Sequence, residues 1–556
     1  MNELLLKQKL TVCLQQAVSA AQQEGDLVST ASPEVIIEHP QNPEHGDFAT
    51  GLPLKLARSM KMSPLAVAQK ICEHLSPPPE IDKVSIASPG FINFTLRDDW
   101  LKEQVEAILN DGESFGNLEM GKDSQVQVEF VSANPTGPLH VGHGRGAVLG
   151  STLANILAAA GYRTEKEYYV NDVGVQINNF GHSLYARYQQ HLGRDVAMPA
   201  EGYLGNYMVD LAAEIVREYG DRFFSLPQEE ATAGLGKIGL GKMMAGIKED
   251  LSSLKVDFED WFSEKSLYEG GQYDKAMAML RDGGFVVKRE NAVWFESTSL
   301  GEDKDNVLVR SDGSPTYFAT DIAYHYNKFI ERGFHTVINI WGADHQGHIP
   351  RMKAAVKALG IDPEQLRIIT YQLVTLRRGE EIVKVSKRSG DIVTLREVID
   401  EVGADACRFT FLSRSADSQM DFDMELAKKQ SAENPVYYVQ YAHARIASIL
   451  RLARQRVIDY SQGDVSLLAT EPELTLIRRL ILLPEIVEDV AATLQPHYLP
   501  YYAQDLATVF HSFYKQCRVV SQDEALTKAR LKLVKATQIV LAKALHLMGM
   551  TAPEKM

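Results

Sequence analysis

The chain is poor in cysteine, with four in 556 residues. Cys13, Cys72, Cys407 and Cys517 lie far apart, and no two of them form a C-x-x-C pair. Disulfide-stapled domains and zinc ribbons both need closely and regularly spaced cysteines. The sequence therefore excludes both classes, and we expect no tightly bound structural metal.

Long apolar runs are missing as well. No stretch reaches the roughly 18 apolar residues that a membrane helix needs. The first ten residues, MNELLLKQKL, lack the pattern of a secretory signal. With 45% apolar and 24% charged residues, the composition is typical of a globular protein. We expect a cytoplasmic protein without membrane contact, long enough for about three domains.

The chain also lacks an excess of positive charge. Its formal net charge is −15, from 58 basic and 73 acidic side chains. A protein that binds nucleic acid of any sequence needs a basic face that releases counterions, so we expect no DNA binding. The charge is uneven, however, because residues 441–556 carry 14 basic and 11 acidic side chains. Such a segment is compatible with local binding to one structured nucleic acid.

The hydrophobic patterns predict three regions. Residues 1–117 mix helical and strand patterns, residues 118–434 alternate strands and helices, and residues 435–556 are almost entirely helical. We interpret residues from about 183 to 300 as an insertion in the middle region. The clearest predicted elements are a strand–turn–strand unit at 84–96, strands at 126–131, 336–341 and 367–376, and helices at 145–160 and 527–548.

Two histidines stand between a predicted strand and a predicted helix, in the sequence S-A-N-P-T-G-P-L-H-V-G-H at 132–143. Gly142 allows close approach of the backbone to a ligand, and the helix start offers free N–H groups to a phosphate. His140 and His143 can donate hydrogen bonds to phosphate oxygens as negative charge builds up. The strand–loop–helix context favours a phosphate site over a turn with two surface histidines.

A basic loop, K-V-S-K at 384–387, is the second motif. Lys384 and Lys387 flank Ser386 just before a glycine, and ammonium groups are compact partners for pyrophosphate. A short basic run alone is more typical of a solvated face. Together with the histidine motif it indicates chemistry on a nucleotide.

These motifs resemble the two signatures of class I aminoacyl-tRNA synthetases, H-I-G-H and K-M-S-K, with Val385 in place of methionine. The extended form at 132–143, residues 42–71 and residues 529–549 are similar to arginyl-tRNA synthetases in particular. The resemblance covers essentially the whole chain. It implies a Rossmann-type α/β catalytic domain, an N-terminal α+β domain that contacts tRNA, and a C-terminal all-α helix bundle that binds the anticodon.

The resemblance also implies a reaction, the ATP-dependent ligation of L-arginine to tRNA(Arg) through an arginyl-adenylate, with Mg²⁺ accompanying ATP. We expect a monomer. The family's site positions match residues of three kinds here: catalytic His140, His143, Lys384, Ser386 and Lys387; ATP-binding Gly142, Gly342, Asp344 and His345; and arginine-binding Glu129, Asn134, Tyr317 and Asp321.

Physical chemistry supports part of this assignment. Tyr317 and Asp321 are four residues apart, so on a helix they share a face, and a guanidinium needs carboxylates such as Asp321 and Glu129 beside it. The turn at 341–348 has a rival interpretation as a metal site through Asp344, His345 and His348, which we disfavour because adjacent side chains point apart.

Three alternatives complete the sequence interpretation. G-K-I-G-L-G-K-M at 236–243 resembles a P-loop, but Met243 replaces the required hydroxyl, so we predict a helix or turn there. Another class I-like nucleotidyl transferase would not need the long helical tail. A non-catalytic tRNA-binding paralogue would not need the histidines and lysines that both motifs retain.

Overall fold

The amino-terminal region of the computed structural model, which describes residues 3–28, 34–383 and 393–556, is an α+β unit. Its elements are α1 (Glu3–Gln23), β1 (Phe48–Thr50), α2 (Leu52–Met60), α3 (Pro64–Glu73), β2 (Ile81–Ala87), β3 (Phe91–Leu96) and α4 (Asp98–Asp111). The strands form an antiparallel sheet in the order β1–β3–β2. Val84 pairs with Phe94 across the β2–β3 hairpin, which confirms the predicted strand–turn–strand unit.

The middle region alternates strands and helices. In chain order its elements are β4 (Gln125–Glu129), α5 (Val141–Ala159), β5 (Arg163–Val170), α6 (Val175–His191), α7 (Asn206–Tyr219), α8 (Gln228–Ser253), β6 (Asp260–Ser263), α9 (Glu264–Glu269), α10 (Gln272–Asp282), β7 (Val286–Arg289), β8 (Ala292–Phe295), β9 (Asn306–Val309), α11 (Tyr317–Tyr326), β10 (Thr336–Gly342), α12 (Ile349–Ala358), β11 (Leu366–Tyr371), β12 (Val374–Arg378), β13 (Glu381–Ile382), α13 (Leu395–Val402), α14 (Ala404–Leu412), β14 (Met420–Asp423) and α15 (Met424–Lys428).

The main sheet of this region is parallel, with the order β11–β10–β4–β5–β6 in the described part of the chain. Counted by their appearance in the chain, these strands are arranged 5-4-1-2-3, which is the Rossmann order and confirms the predicted catalytic fold. The order reverses between β4 and β10. In open α/β sheets, ligands bind in the crevice beyond the carboxyl ends of the strands at this point of reversal.

Several predicted boundaries in this region were wrong. The strand predicted at 126–131 ends at Glu129, because Val131 and Ser132 take left-handed backbone angles with φ of 67° and 40°. The helix predicted at 145–160 begins at Val141, so the histidine motif forms its first turn. The strand predicted at 367–376 is two strands, β11 and β12, that belong to different sheets.

The segment at 183–300 contains more than added helices. Its strand β6 pairs in parallel with β5 and forms an edge of the main sheet. Four residues, D-W-F-S, are too few to show a strand period, which explains why the sequence did not predict this strand. The P-loop-like stretch at 236–243 lies inside α8, as its missing hydroxyl predicted.

The carboxyl-terminal region is a bundle of long helices, as predicted. The helices are α16 (Pro435–Gln455), α17 (Glu471–Ile481), α18 (Leu483–Thr493), α19 (Tyr498–Gln516) and α20 (Glu524–Leu547). The buried Leu531, Val534, Leu541 and Leu545 give α20 an apolar stripe at helical spacing. None of the helices described is both long and apolar enough to cross a bilayer.

One buried arginine joins this bundle to the middle region. The Arg408 guanidinium, on α14, donates to the backbone oxygens of Met548 and Leu254 at 2.5 and 3.0 Å and to the Ser151 hydroxyl at 2.8 Å. Ser151 belongs to α5, the helix that begins with the histidine motif. The end of the last helix is thereby tied to the helix that carries the candidate site.

Candidate active site

The candidate site lies at the reversal point of the main sheet. β4 ends at Glu129 and the histidine motif follows it, while β10 ends at Gly342 and leads into the turn that contains Asp344 and His345. Because β4 and β10 are parallel neighbours, their following loops meet at one edge. The structure thus brings together two stretches that are separated by about two hundred residues in the sequence.

His140 and His143 form one compact unit at the start of α5. His140 is the N-cap residue, and its Nδ1 accepts a hydrogen bond from the Gly142 N–H at 3.1 Å. The His143 Nδ1 accepts from the His140 N–H at 3.3 Å, and the ring centroids are stacked 3.6 Å apart. A Cβ at position 142 would lie 2.9 Å from the His140 ring, so this stacking requires glycine there.

This geometry fixes the protonation of both rings. Burial lowers the pKa of His140 and lowers that of His143 to about 3, with the neighbouring His140 adding to the effect at His143. Both imidazoles are therefore neutral near pH 7. Since each Nδ1 accepts a backbone N–H, each proton sits on Nε2. The pair thus has two neutral N–H donors, which suit phosphate oxygens without repelling each other.

Lys384, Ser386 and Lys387 lie outside the described residues, but their flanking segments do not. The chain leaves β13 at Ile382, and it returns beside the histidine motif. The Leu395 N–H donates to the Leu139 oxygen at 2.8 Å, and Thr394 forms an antiparallel bridge with His140. The described residues that follow the second motif are thus joined directly to the first motif.

Arg145, in the second turn of α5, connects this helix to the segments that precede β12 and β14. Its fully buried guanidinium donates to the backbone oxygens of Gln372, Ser418 and Ser415 at 2.7, 2.9 and 2.8 Å. These oxygens belong to the segments that precede β12 and β14. One side chain therefore fixes the small sheet β13–β12–β14 against the helix of the histidine motif.

The residues predicted for arginine lie along the same edge at different depths. Tyr317 is 53% exposed at the first turn of α11, and Asp321 is half-buried one turn later. Asn134 is exposed in the loop after β4, whereas Glu129 is buried at the strand's end. The Glu129 Oε1 accepts from the Ser132 hydroxyl at 2.9 Å, and its Oε2 accepts from the Lys328 ammonium at 2.6 Å.

Three carboxylates converge here without enough positive charge to balance them. Burial raises the pKa of Asp321 to about 7, and nearby Glu129 and Glu264 add to the effect. Burial likewise raises the pKa of Glu264 to about 7, despite its hydrogen bond with Tyr169. Within the described residues the Asp321 carboxylate accepts no hydrogen bond. The entry of a cation therefore stabilises such a site.

Tyr169 and Glu264 carry no motif in the sequence. Tyr169 lies near the end of β5, and Glu264 follows β6 directly. Only their position at the carboxyl ends of parallel strands indicates that Tyr169 and Glu264 belong to the site. For Glu264 this position could not be recognised from the sequence, because β6 was not predicted. Recognition of that strand would have placed Glu264 at the same edge as Glu129.

The turn after β10 was predicted to contact ATP. Asp344 and His345 are exposed, and His345 Nε2 lies 3.6 Å from the Asp344 carboxylate. His348 instead contacts the Arg351 guanidinium through Nδ1. A permanent cation against His348 competes with a metal ion for that position, which weighs against the metal interpretation of this turn.

Family models match almost the entire chain in three consecutive ranges. The arginyl tRNA synthetase N terminal domain matches residues 7–96, the catalytic domain of class I tRNA synthetases (R) matches 104–450, and the DALR anticodon binding domain matches 439–556. The arginine–tRNA ligase of Dehalococcoides mccartyi is 60% identical over 557 residues, which is 100% of both chains. This chain belongs to the arginyl-tRNA synthetase family. The arginine–tRNA ligase of Carboxydothermus hydrogenoformans is 49% identical over 94% of each chain.

Solved structures of arginyl-tRNA synthetases share the fold. The Thermus thermophilus enzyme aligns with a TM-score of 0.76 over 98% of this chain and 100% of its own, at 24% identity. The Plasmodium falciparum enzyme aligns with a TM-score of 0.75 over 99% of both chains, at 17% identity. The comparisons give no support to the two alternative classes, a different nucleotidyl transferase or a non-catalytic paralogue.

Proposed function

We propose that this chain ligates L-arginine to tRNA(Arg) at the crevice between β4 and β10. In the first step the arginine carboxylate attacks the α-phosphate of ATP, which forms arginyl-adenylate and releases pyrophosphate. In the second step a hydroxyl of the terminal ribose of the tRNA attacks the arginyl carbonyl and releases AMP. The observation that carries the proposal is a cluster of buried carboxylates with raised pKa values, together with a pair of neutral histidines at the start of α5.

Arginine recognition follows from the charge of the cluster. A guanidinium is always protonated and planar, with donors that match carboxylate oxygens. Burial, with neighbouring carboxylates adding to it, raises the pKa of Asp321 and of Glu264, so we assign both groups to the guanidinium. Tyr317 lies one helical turn before Asp321 and is exposed enough to cover the side chain. Glu129 and Asn134, at the mouth of the loop after β4, are assigned to the polar end of the amino acid.

Phosphate chemistry needs charge stabilisation and positioning more than covalent participation. The Nε2–H groups of His140 and His143 are assigned to the phosphates of ATP, together with the backbone at Gly142. Gly342, Asp344 and His345 are assigned to the remainder of the nucleotide. Lys384, Ser386 and Lys387 are assigned to the pyrophosphate that leaves, and Mg²⁺ enters as the counterion of ATP.

The outer regions are assigned to tRNA. The bundle α16–α20 would bind the anticodon, and the amino-terminal unit would contact the tRNA body, with one chain acting as a monomer. Because Arg408 ties the bundle to α5, the spacing between the anticodon end and the histidine motif is fixed within one chain.

Pyrophosphate exchange with each of the twenty amino acids, with and without tRNA, tests the assignment. Only arginine is expected to support exchange. His143→Ala is expected to slow adenylate formation about 100- to 1,000-fold, the typical effect of one lost donor to a charged transition state. His182→Ala, at an exposed histidine on α6, is the matched control and should leave the rate unchanged. Exchange with a different amino acid would refute the function, and an unchanged rate in His143→Ala would refute the role of the pair.

A further inference from the structure

A row of polar side chains crosses the main sheet at the level where β4 ends. Glu129 is in register with Asn339 of β10 on one side and with Glu167 of β5 on the other, and Glu167 is in register with Asp260 of β6. In parallel strands, residues in register point to the same face of the sheet. Glu129, Glu167 and Asp260, here called the carboxylate row, thus place several negative charges under one helix.

The cations that meet the carboxylate row come from the end of that helix. A π-helical turn, Asn327–Glu331, continues α11, and Lys328 and Arg332 lie four residues apart there. Arg332 forms ion pairs with Glu167 and Glu165. Lys328 is completely buried, and its ammonium lies 2.6 Å from the Glu129 Oε2 and 3.1 Å from the Asn339 Oδ1. Its third face lies 4.0 Å from the Tyr324 ring centroid, so the ammonium is satisfied on every side.

A directed chain of hydrogen bonds leads from Lys328 to Asp321. Asn339 accepts from Lys328 through Oδ1 and contacts His325 Nε2 through its amide nitrogen at 2.9 Å. His325 Nδ1 lies 2.7 Å from the backbone oxygen of Asp321. Burial lowers the pKa of His325 to about 3, so the ring carries a single proton. That proton must sit on Nδ1, because Nε2 accepts from the amide, and every donor in the chain then points toward Asp321.

We propose that Lys328 is the positioning residue of the arginine pocket, because it fixes Glu129 by a direct ion pair and reaches the backbone of Asp321 through Asn339 and His325. The inference rests on the proposed function, since it concerns how the pocket receives arginine. Lys328 has no free donor for a substrate and is sealed from solvent. It acts on arginine only through the Glu129 carboxylate that it holds and through the turn of α11 that carries Asp321.

The charge of Lys328 also acts on the ionisation of Asp321. Lys328 and Arg351 are the cations that lower the pKa of Asp321 against burial, Glu129 and Glu264. Removal of the ammonium leaves Asp321 closer to protonation, and a protonated carboxyl binds a guanidinium poorly. The affinity for arginine is therefore lost in two ways, through disorder of Glu129 and through competition by protons.

Lys328→Met, with a side chain of similar length and no charge, is the test variant. Its KM for arginine in pyrophosphate exchange is expected to rise at least about tenfold, with the KM for ATP within about twofold. The pH below which the KM for arginine rises should also move upward. Lys353→Met is the matched control, since the partners of Lys353 on α12, among the described residues, are Pro363 and Glu364 in the following loop. It should change neither constant.

A double-mutant cycle separates positioning from a structural role. Glu129→Gln and Lys328→Met combined should cost much less in arginine KM than the product of the single effects, because the ion pair that they share is lost only once. If Lys328→Met fails to fold, Asn339→Ala, which removes the link to His325 and keeps the ion pair with Glu129, takes its place. Its arginine KM is expected to rise, by less than about tenfold, and an unchanged KM would contradict the link.

The outcomes distinguish the two proposals. If the wild-type chain shows no arginine-dependent exchange, the proposed function fails before Lys328 is tested. If the wild type is active and the variant has an unchanged arginine KM and pH profile, with or without a lower melting temperature, the positioning role is wrong.

Discussion

Buried carboxylates occur in both the helix bundle and the catalytic sheet, and their surroundings differ. Glu473, in the bundle, is completely buried and accepts from Arg530 Nε at 2.7 Å and from the N–H groups of Ala469 and Thr470 at 2.9 and 2.8 Å. Burial acts to raise its pKa, but these hydrogen bonds outweigh burial and the pKa is lowered. Asp321 and Glu264, in the catalytic region, have their pKa raised to about 7.

We infer from this difference that Glu473 stabilises the fold, whereas Asp321 and Glu264 form a site for a cationic ligand. Every oxygen of Glu473 is satisfied within the protein, so its charge costs little. Asp321 and Glu264 keep part of their desolvation cost until a cation arrives. A raised pKa in a crevice, next to other carboxylates, is thus a physical signature of a cation site.

Asp321→Asn should give the largest effect on this comparison. The amide keeps the shape and removes the charge, so the KM for arginine is expected to rise by about 30- to several thousand-fold, equivalent to about 2–5 kcal/mol. The KM for ATP and the melting temperature should change little. The measurement is steady-state exchange with each substrate varied in turn. A larger change in the ATP constant than in the arginine constant would contradict the assignment.

Glu473→Gln is the mirror experiment in the bundle. Loss of the charged acceptor of Arg530 and two backbone N–H groups should lower the free energy of unfolding by about 1.5–3 kcal/mol. The KM for arginine should stay within about twofold, because Glu473 belongs to the bundle. Denaturant unfolding and exchange kinetics check the two halves. Stability equal to the wild type would show that the buried pair contributes nothing net.

The pH dependence of arginine binding should show a smaller effect of the raised pKa values of Asp321 and Glu264. A carboxylate with a pKa near 7 is mostly ionised at pH 8 and mostly protonated at pH 6, so protons compete with arginine as the pH falls. The dissociation constant for arginine should rise about tenfold from pH 8 to pH 6 for each such group that must ionise. Calorimetric titration in the absence of ATP measures it. A constant that is flat across this range would mean that both carboxylates are ionised throughout.

Asp250→Asn should have the smallest effect. Burial raises the pKa of Asp250 on α8, but its carboxylate pairs with Arg396 at 2.9 Å and lies in no cluster with Asp321. We expect a change of at most about 1 kcal/mol in unfolding free energy and an unaltered KM for arginine. A strong effect on arginine would show that the direction of a pKa shift alone does not locate the pocket.

The same comparison explains what the sequence could predict. The bundle follows local rules: α17, for example, begins with a capping box, T-E-P-E at 470–473, which also identifies Glu473 as structural. The histidine motif was found because all its parts lie within twelve residues. The three regions were predicted from patterns of this kind, and the resemblance that the motifs carry gave the family and the Rossmann-type fold.

Contacts between side chains that are distant in the sequence could not be predicted from such local rules. Glu264 meets Asp321 only because β6 joins the sheet, and β6 is too short to show a period. Nothing in the local sequence distinguishes Lys328 from a surface lysine. Its contact with Glu129 depends on a π-helical turn and on the register of distant strands. The assignments of all predicted site residues to catalysis, ATP and arginine stay predictions.

The buried Arg408 has a consequence for synthesis on the ribosome. Its Met548 acceptor is added about 140 residues after the arginine itself, so the guanidinium waits through most of the bundle's translation for one of its carbonyl partners. A chain whose translation stops before Met548 folds around a buried cation with an unmade hydrogen bond, at a cost of about 1–3 kcal/mol. A loss of stability of that size raises the unfolded fraction of a protein, which cellular proteases degrade. Arg408 thus makes an interrupted product easier to degrade, before it can occupy tRNA without charging it.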